Sequence, residues 1–131
     1  VRSVEGSSQR SNNGIPAFST RLTNILWESR HHCKEAFDYL IAKIQQYGPI
    51  RIDAVKSSIN IAGKYHFAMV YVLRNSLNLE FIFDRYLDHR RIFRTQKLGP
   101  AKYSHVVKLV HIQDVNAQLL RWLRKAYSLR R

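Results

Sequence analysis

The spacing of apolar residues changes twice along the chain. From about Thr23 to Tyr47, the residues Ile25, Leu26, Cys33, Phe37, Leu40, Ile41 and Ile44 recur near helical spacing, and Gly48-Pro49 then supplies a stop signal. The stretch is long for one helix, and residues 28–32 offer a place to break it into two. From residue 50 to residue 110 the period drops to two. Ile50–Val55, Ser57–Ile61, Phe67–Arg74, Leu77–Asp84, Ile92–Lys97 and Ser104–Val110 are predicted strands, rich in Ile, Val, Phe and Tyr. Gly63-Lys64, Asn75-Ser76 and Gly99-Pro100 join them through short connectors, which favour antiparallel hairpins over parallel crossovers of about a dozen residues or more. Beyond Asp114, expected as an N-cap, a helix is predicted to about Ser128. Val115, Leu119, Trp122, Leu123 and Ala126 form its apolar stripe, with Arg121, Arg124 and Lys125 on the other side. The expected fold class is α+β: an antiparallel β-meander of five to six strands, packed by an N-terminal helical region and a C-terminal helix.

With 131 residues, of which 45% are hydrophobic, the chain can bury a core without disulfide or metal staples. Residues 1–21 are rich in Ser, Asn, Gly and Arg and read as a flexible polar tail, leaving 22–131 as a single α+β domain. The absence of an initiator Met suggests a fragment or a processed chain. No apolar run approaches the roughly 18 residues of a membrane span, and the polar start lacks a secretory signal. A lone cysteine, Cys33, excludes an internal disulfide. A cytoplasmic location is the resulting expectation.

Charge changes the picture most. Eleven of the 22 Lys and Arg lie between Arg90 and Arg131, where Asp114 is the only acidic residue, so this third carries +10 of the net +13. It falls on predicted strands and a helix, not on a tail. Such a surface suits phosphate, so nucleic acid, DNA or RNA, is the expected partner. Arg91, Arg94, Lys97, Lys102, Arg121, Arg124 and Lys125 are the candidate backbone contacts, with Tyr86, Phe93, Tyr103 and Tyr127 interleaved as stacking candidates. Six to ten phosphate contacts would lower affinity by about 10³–10⁵ between 50 and 200 mM salt. An acidic protein partner is the alternative, and a merely solvated basic face the plainest reading.

Gly48-Pro49-Ile50, Lys56-Ser57-Ser58-Ile59, Arg74 before Leu77, His105-Val106-Val107-Lys108-Leu109, Asp114-Val115 and Ala126-Tyr127 follow one another in an order that resembles the bacterial and archaeal domain-of-unknown-function family numbered 5655. The resemblance covers roughly residues 34–128 and implies a compact α+β domain. The closing pattern is also similar to YjbR-like and YdhG-like small proteins, and for the former it implies DNA binding by structural analogy alone. Some relatives carry a Cys-x-x-Cys element like a zinc knuckle; this chain lacks it, so no zinc role carries over. The resemblance brings forward Lys56, Ser58, Arg74 and His105 as a candidate anion- or ligand-binding set, with His105 a candidate proton shuttle. The plainer alternative is that Lys56 and Arg74 are solvated and His105 bonds a backbone carbonyl.

Catalytic signals are weak. His31-His32-Cys33 is a poor chelate, because adjacent helical residues point apart, and no further cysteine exists to complete a zinc site. Asp53, Glu80, Asp84 and Asp88 could ligate magnesium in a nuclease, but position 82, where such a core places a lysine, is Ile82. A pairing of Cys33 with a histidine has no local support, and no Gly-rich phosphate loop occurs. No metal and no cofactor is expected, and a non-catalytic module is favoured over an enzyme.

Overall fold

The computed structural model describes residues 33–56 and 58–130; the predicted tail, the helical start at 23–32 and His31-His32 lie outside them. Helix α1, Lys34–Ile44, follows from an apolar stripe at helical spacing. Ala36, Phe37, Leu40, Ile41 and Ile44 are its buried residues, and Lys34 meets Asp38 one turn on at 2.9 Å. A single 3₁₀ turn, Gln45–Tyr47, leads to Gly48, whose φ of 150° is open to glycine and costly for other residues. The site is also crowded: a Cβ on Gly48 would collide with the Tyr127 hydroxyl, which donates to the Pro49 carbonyl at 3.1 Å.

Six strands follow: β1 Arg51–Ala54, β2 Ser58–Ala62, β3 His66–Val72, β4 Leu77–Phe83, β5 Ile92–Gly99 and β6 Lys102–Leu109. All pairings are antiparallel, in the order β1-β2-β3-β4-β6-β5, an open sheet whose two edge strands are β1 and β5. The order departs from a strict meander at its last two strands. The connection at 84–91 is too long to force a tight hairpin, and burial decides which strand goes inside. Ser104 to Val107 of β6 are all buried, while β5 is exposed along most of its length. The apolar strand takes the interior position and the polar one the edge.

The C-terminal helix, α2, spans Ala117–Arg130. Its N-cap is Asn116, not Asp114: Asn116 Oδ1 accepts the Leu119 N–H at 3.0 Å. Asp114 ends a 3₁₀ turn, Ile112–Asp114, and its Oδ2 accepts the Val110 and His111 N–H groups at 2.8 and 2.9 Å. Both helices pack on one face of the sheet. The core they form joins Phe37, Leu40 and Ile44 of α1 and Leu119, Leu123 and Ala126 of α2 to alternate strand residues such as Ile59, Val70, Leu79 and Val107. Among the described residues no helix covers the opposite face, where alternation places Asn60, Met69, Tyr71, Asn78, Glu80, Ile82, Ser104 and Val106.

Candidate nucleic-acid interface

The β5–β6 hairpin gathers cations at the exposed end of the sheet. Register puts Arg94 opposite Val106 and Lys108 opposite Asn78, so both belong to the face away from the helices. Lys97 lies opposite Tyr103 on the helix side of the edge, its ammonium 5.9 Å from the Tyr103 ring centroid. Lys102 begins β6, next to the hairpin turn. Breaks in register between Ile92 and Arg94 and between Lys97 and Gly99 mark β-bulges, which twist the edge and bring Phe93 and Leu98 out at 54% and 46% exposure. Cations and bulges together keep this edge from pairing with another strand of like charge.

A shallow hollow of about 260 Å³ opens on the same face, below the turn. Met69, Ile82 and Leu98 wall it, and Glu80 and Lys102 bring opposite charges to it. Glu80 Oε1 accepts a hydrogen bond from the Tyr71 hydroxyl at 3.4 Å. Burial, then the Glu80 charge and that hydrogen bond, push the Tyr71 phenol above its ordinary value, so it stays a donor.

The other candidate cations sit elsewhere. Arg91 is half-buried and engaged: it donates to Asn116 Oδ1 at 3.1 Å and to the Asp114 carbonyl, tying the 84–91 connection to the start of α2. Burial lowers its pKa, opposed by the Asp114 charge. Burial alone would raise Asp114, but the His111 and Val110 N–H groups, aided by the Arg91 charge, outweigh it and hold the carboxyl below its usual range. Arg121 and Arg124 are exposed on α2, away from the buried Leu119, Leu123 and Ala126. The thickness of helix and sheet, about 20 Å, separates them from Arg94 and Lys108. Lys125 approaches Asp84 at 3.9 Å. The basic third of the chain therefore forms two cationic surfaces, back to back.

The set Lys56, Ser58, Arg74 and His105 does not meet in one pocket. Lys56 and Arg74 are exposed in the β1–β2 and β3–β4 turns, and Ser58 opens β2 opposite Tyr71, on the face without helices. His105 is fully buried on the helix side, opposite Phe81. Its Nε2 lies 2.9 Å from the Arg85 carbonyl and its Nδ1 2.9 Å from Thr95 Oγ1. A carbonyl only accepts, so Nε2 carries a proton and donates to it, while Nδ1 pairs with the Thr95 hydroxyl. Phe81, Phe83, Tyr86 and Tyr103 surround the ring at centroid distances of 5.6, 6.2, 6.3 and 6.2 Å. Both ring nitrogens are used, which makes His105 a structural pin between the sheet and the 84–91 connection.

The carboxylates named for a nuclease are equally dispersed. Asp53 lies on edge strand β1 beside Arg51 at 3.5 Å, Glu80 in the sheet, and Asp84 beyond β4 near Lys125. Among the described residues no group of three or more His, Cys, Asp or Glu is placed to hold a metal ion. Cys33 is buried, and burial, then the Asp114 charge, raise its thiol pKa, which leaves it a poor nucleophile. Sequence reasoning missed the hollow, whose walls come from β3, β4 and the β5–β6 hairpin. The one available signal was the even-numbered series Asn78, Glu80, Ile82, too polar for a second core face and too apolar for an ordinary solvated one.

The arrangement defines an α+β domain with an open six-stranded antiparallel sheet, helices on one face and a cationic edge hairpin. The chain belongs to the family described as Domain of unknown function (DUF5655), which it matches over residues 24–130. No curated protein matches it, and no solved structure does. Among the described residues no helix is long and apolar enough to cross a membrane.

Proposed function

We propose that this domain is a non-catalytic module that binds nucleic acid by its phosphate backbone, across the β5–β6 hairpin and the adjoining open face of the sheet. The observation that carries the reading is the charge of that hairpin: it bears Arg94, Lys102 and Lys108 on the open face and Lys97 on the helix side of the edge, and no acidic residue occurs from residue 89 to residue 113. Exposed Phe93 at the bulge adds a surface on which a base can stack. Contacts of this kind position a backbone without reading sequence. The reading places the protein in the cytoplasm, where nucleic acid is at hand and a reduced thiol such as Cys33 persists.

The geometry also sharpens the expected salt dependence. With the helical cations on the far side, a strand lying on the hairpin meets about four phosphate-binding groups. A slope of about −0.7 per contact gives a total near −3, or roughly a fifty-fold loss of affinity from 50 to 200 mM salt. Fluorescence anisotropy with labelled single-stranded DNA, RNA and duplex DNA tests this. Triple charge reversal at Arg94, Lys97 and Lys102 should abolish binding at 200 mM salt. Unchanged affinity in that variant, or no binding by the parent protein at 50 mM salt, overturns the reading.

A further inference from the structure

We propose that the hollow on the open face receives one unstacked nucleobase, which makes the preferred nucleic acid single-stranded; this rests on the nucleic-acid reading above. Three observations meet there. The first is size: about 260 Å³ lies just under the roughly 300–1,000 Å³ of sites for drug-sized ligands, and suits one flat heterocycle. Chemistry is the second. Met69, Ile82 and Leu98 offer apolar surface for a ring, while the Glu80 carboxylate accepts and the Lys102 ammonium donates. A heterocycle with donors and acceptors on its edge can pair with both groups, whereas an aliphatic occupant desolvates the Lys102 ammonium without a partner and leaves Glu80 only the Tyr71 hydroxyl. Position is the third: Lys102 belongs to the hollow and to the cationic hairpin at once, so a strand whose phosphates follow the hairpin carries its bases past the opening.

A duplex does not fit this surface equally well. Its bases are stacked and paired, and must be extruded before one can enter a hollow. Reading them in place takes a projecting helix or β-ribbon in a groove, and among the described residues this face of the sheet projects neither.

The test uses the full 131-residue chain. A labelled 12-nucleotide single strand and the duplex of the same sequence are titrated at 50 mM salt, with Leu98→Ala as the probe of the hollow. Leu98 is 46% exposed, so its truncation leaves the fold intact, which circular dichroism checks. The expected result is single-strand binding about ten-fold tighter than duplex binding. Leu98→Ala should weaken the single strand about three- to ten-fold, the duplex less than two-fold, and leave the salt slope unchanged. A second readout is 2-aminopurine placed in the single strand, whose fluorescence should rise as the base leaves its stack, and rise less with Leu98→Ala. Equal affinity for both forms with no effect of Leu98→Ala overturns this inference and leaves the backbone-binding reading standing. Binding to neither form overturns both.

Discussion

Replacing Gly48 by alanine probes the joint between α1 and the sheet, and its cost can be worked from two separable sources. The first is conformational. At φ 150° and ψ −168° the backbone occupies a region that is essentially glycine's own, and holding another residue there costs about 1–3 kcal/mol. The second is steric. The new Cβ would collide with the Tyr127 hydroxyl, so the ring must shift and give up its 3.1 Å hydrogen bond to Pro49, worth about 1 kcal/mol. The ring has little room, because its edge packs on Phe67 with centroids 5.5 Å apart. Gly48→Ala should therefore destabilise by about 2–4 kcal/mol, read as a lower urea midpoint with unchanged slope. In a Tyr127→Phe background the collision with oxygen is gone, the nearest remaining ring atom is 3.2 Å away, and mainly the backbone term survives. The same substitution should then cost about 1 kcal/mol less. A loss under 0.5 kcal/mol in the parent, or an equal loss in both backgrounds, would refute this account of the joint.

Two further predictions concern buried polar groups. His105→Leu strands the Thr95 hydroxyl and the Arg85 carbonyl, so it should cost about 1–3 kcal/mol in thermal or urea unfolding, with nucleic-acid affinity retained. Loss of binding by a folded His105→Leu protein would instead give this residue a part in the interface. Asp114 is held below the usual carboxylate range, so its ionised form favours the folded state. That contribution is complete above the unfolded value of about 3.9 and disappears as pH falls through the lower folded value. Asp114→Asn should thus be less stable than the parent at neutral pH, and the difference should shrink on acidification; a gap that stays constant from pH 7 to pH 2 refutes the assignment.

Much of the fold could be read from periodicity, and the misplacements have physical causes. The switch from helical to alternating spacing located all six strands to within three residues, because a sheet with one buried face writes its pleat into the sequence. The break at Gly48-Pro49 was equally visible. Strand order was not, since it turns on which of two late strands is more apolar overall and on a connector too long to dictate a hairpin. Asp114 resembled a helix cap because it is a good one in general; only the geometry shows its carboxylate turned back onto Val110 and His111 while Asn116 caps α2.

The candidate site was legible in kind more than in shape. Net charge marked the last third of the chain, but Arg94 and Arg121 look alike in sequence and stand on opposite sides of the domain. Arg91 carries the same charge and spends it on Asn116 and the Asp114 carbonyl. His105 drew notice as a reactive side chain, whereas its two ring hydrogen bonds and four aromatic neighbours give it a structural task. The hollow was invisible because Met69, Glu80 and Leu98 are brought together by register across strands, and no local spacing encodes that.

The salt dependence of binding tests the central claim most directly, because it counts phosphate contacts and locates them at once. Anisotropy titrations of the parent chain and of Arg121→Glu/Arg124→Glu, on one labelled single strand between 50 and 200 mM salt, should give the same slope near −3 and about a fifty-fold loss of affinity in each. No binding at 50 mM salt contradicts the function. A thousand-fold loss in the parent, reduced by the two α2 substitutions, contradicts the hairpin as the binding surface.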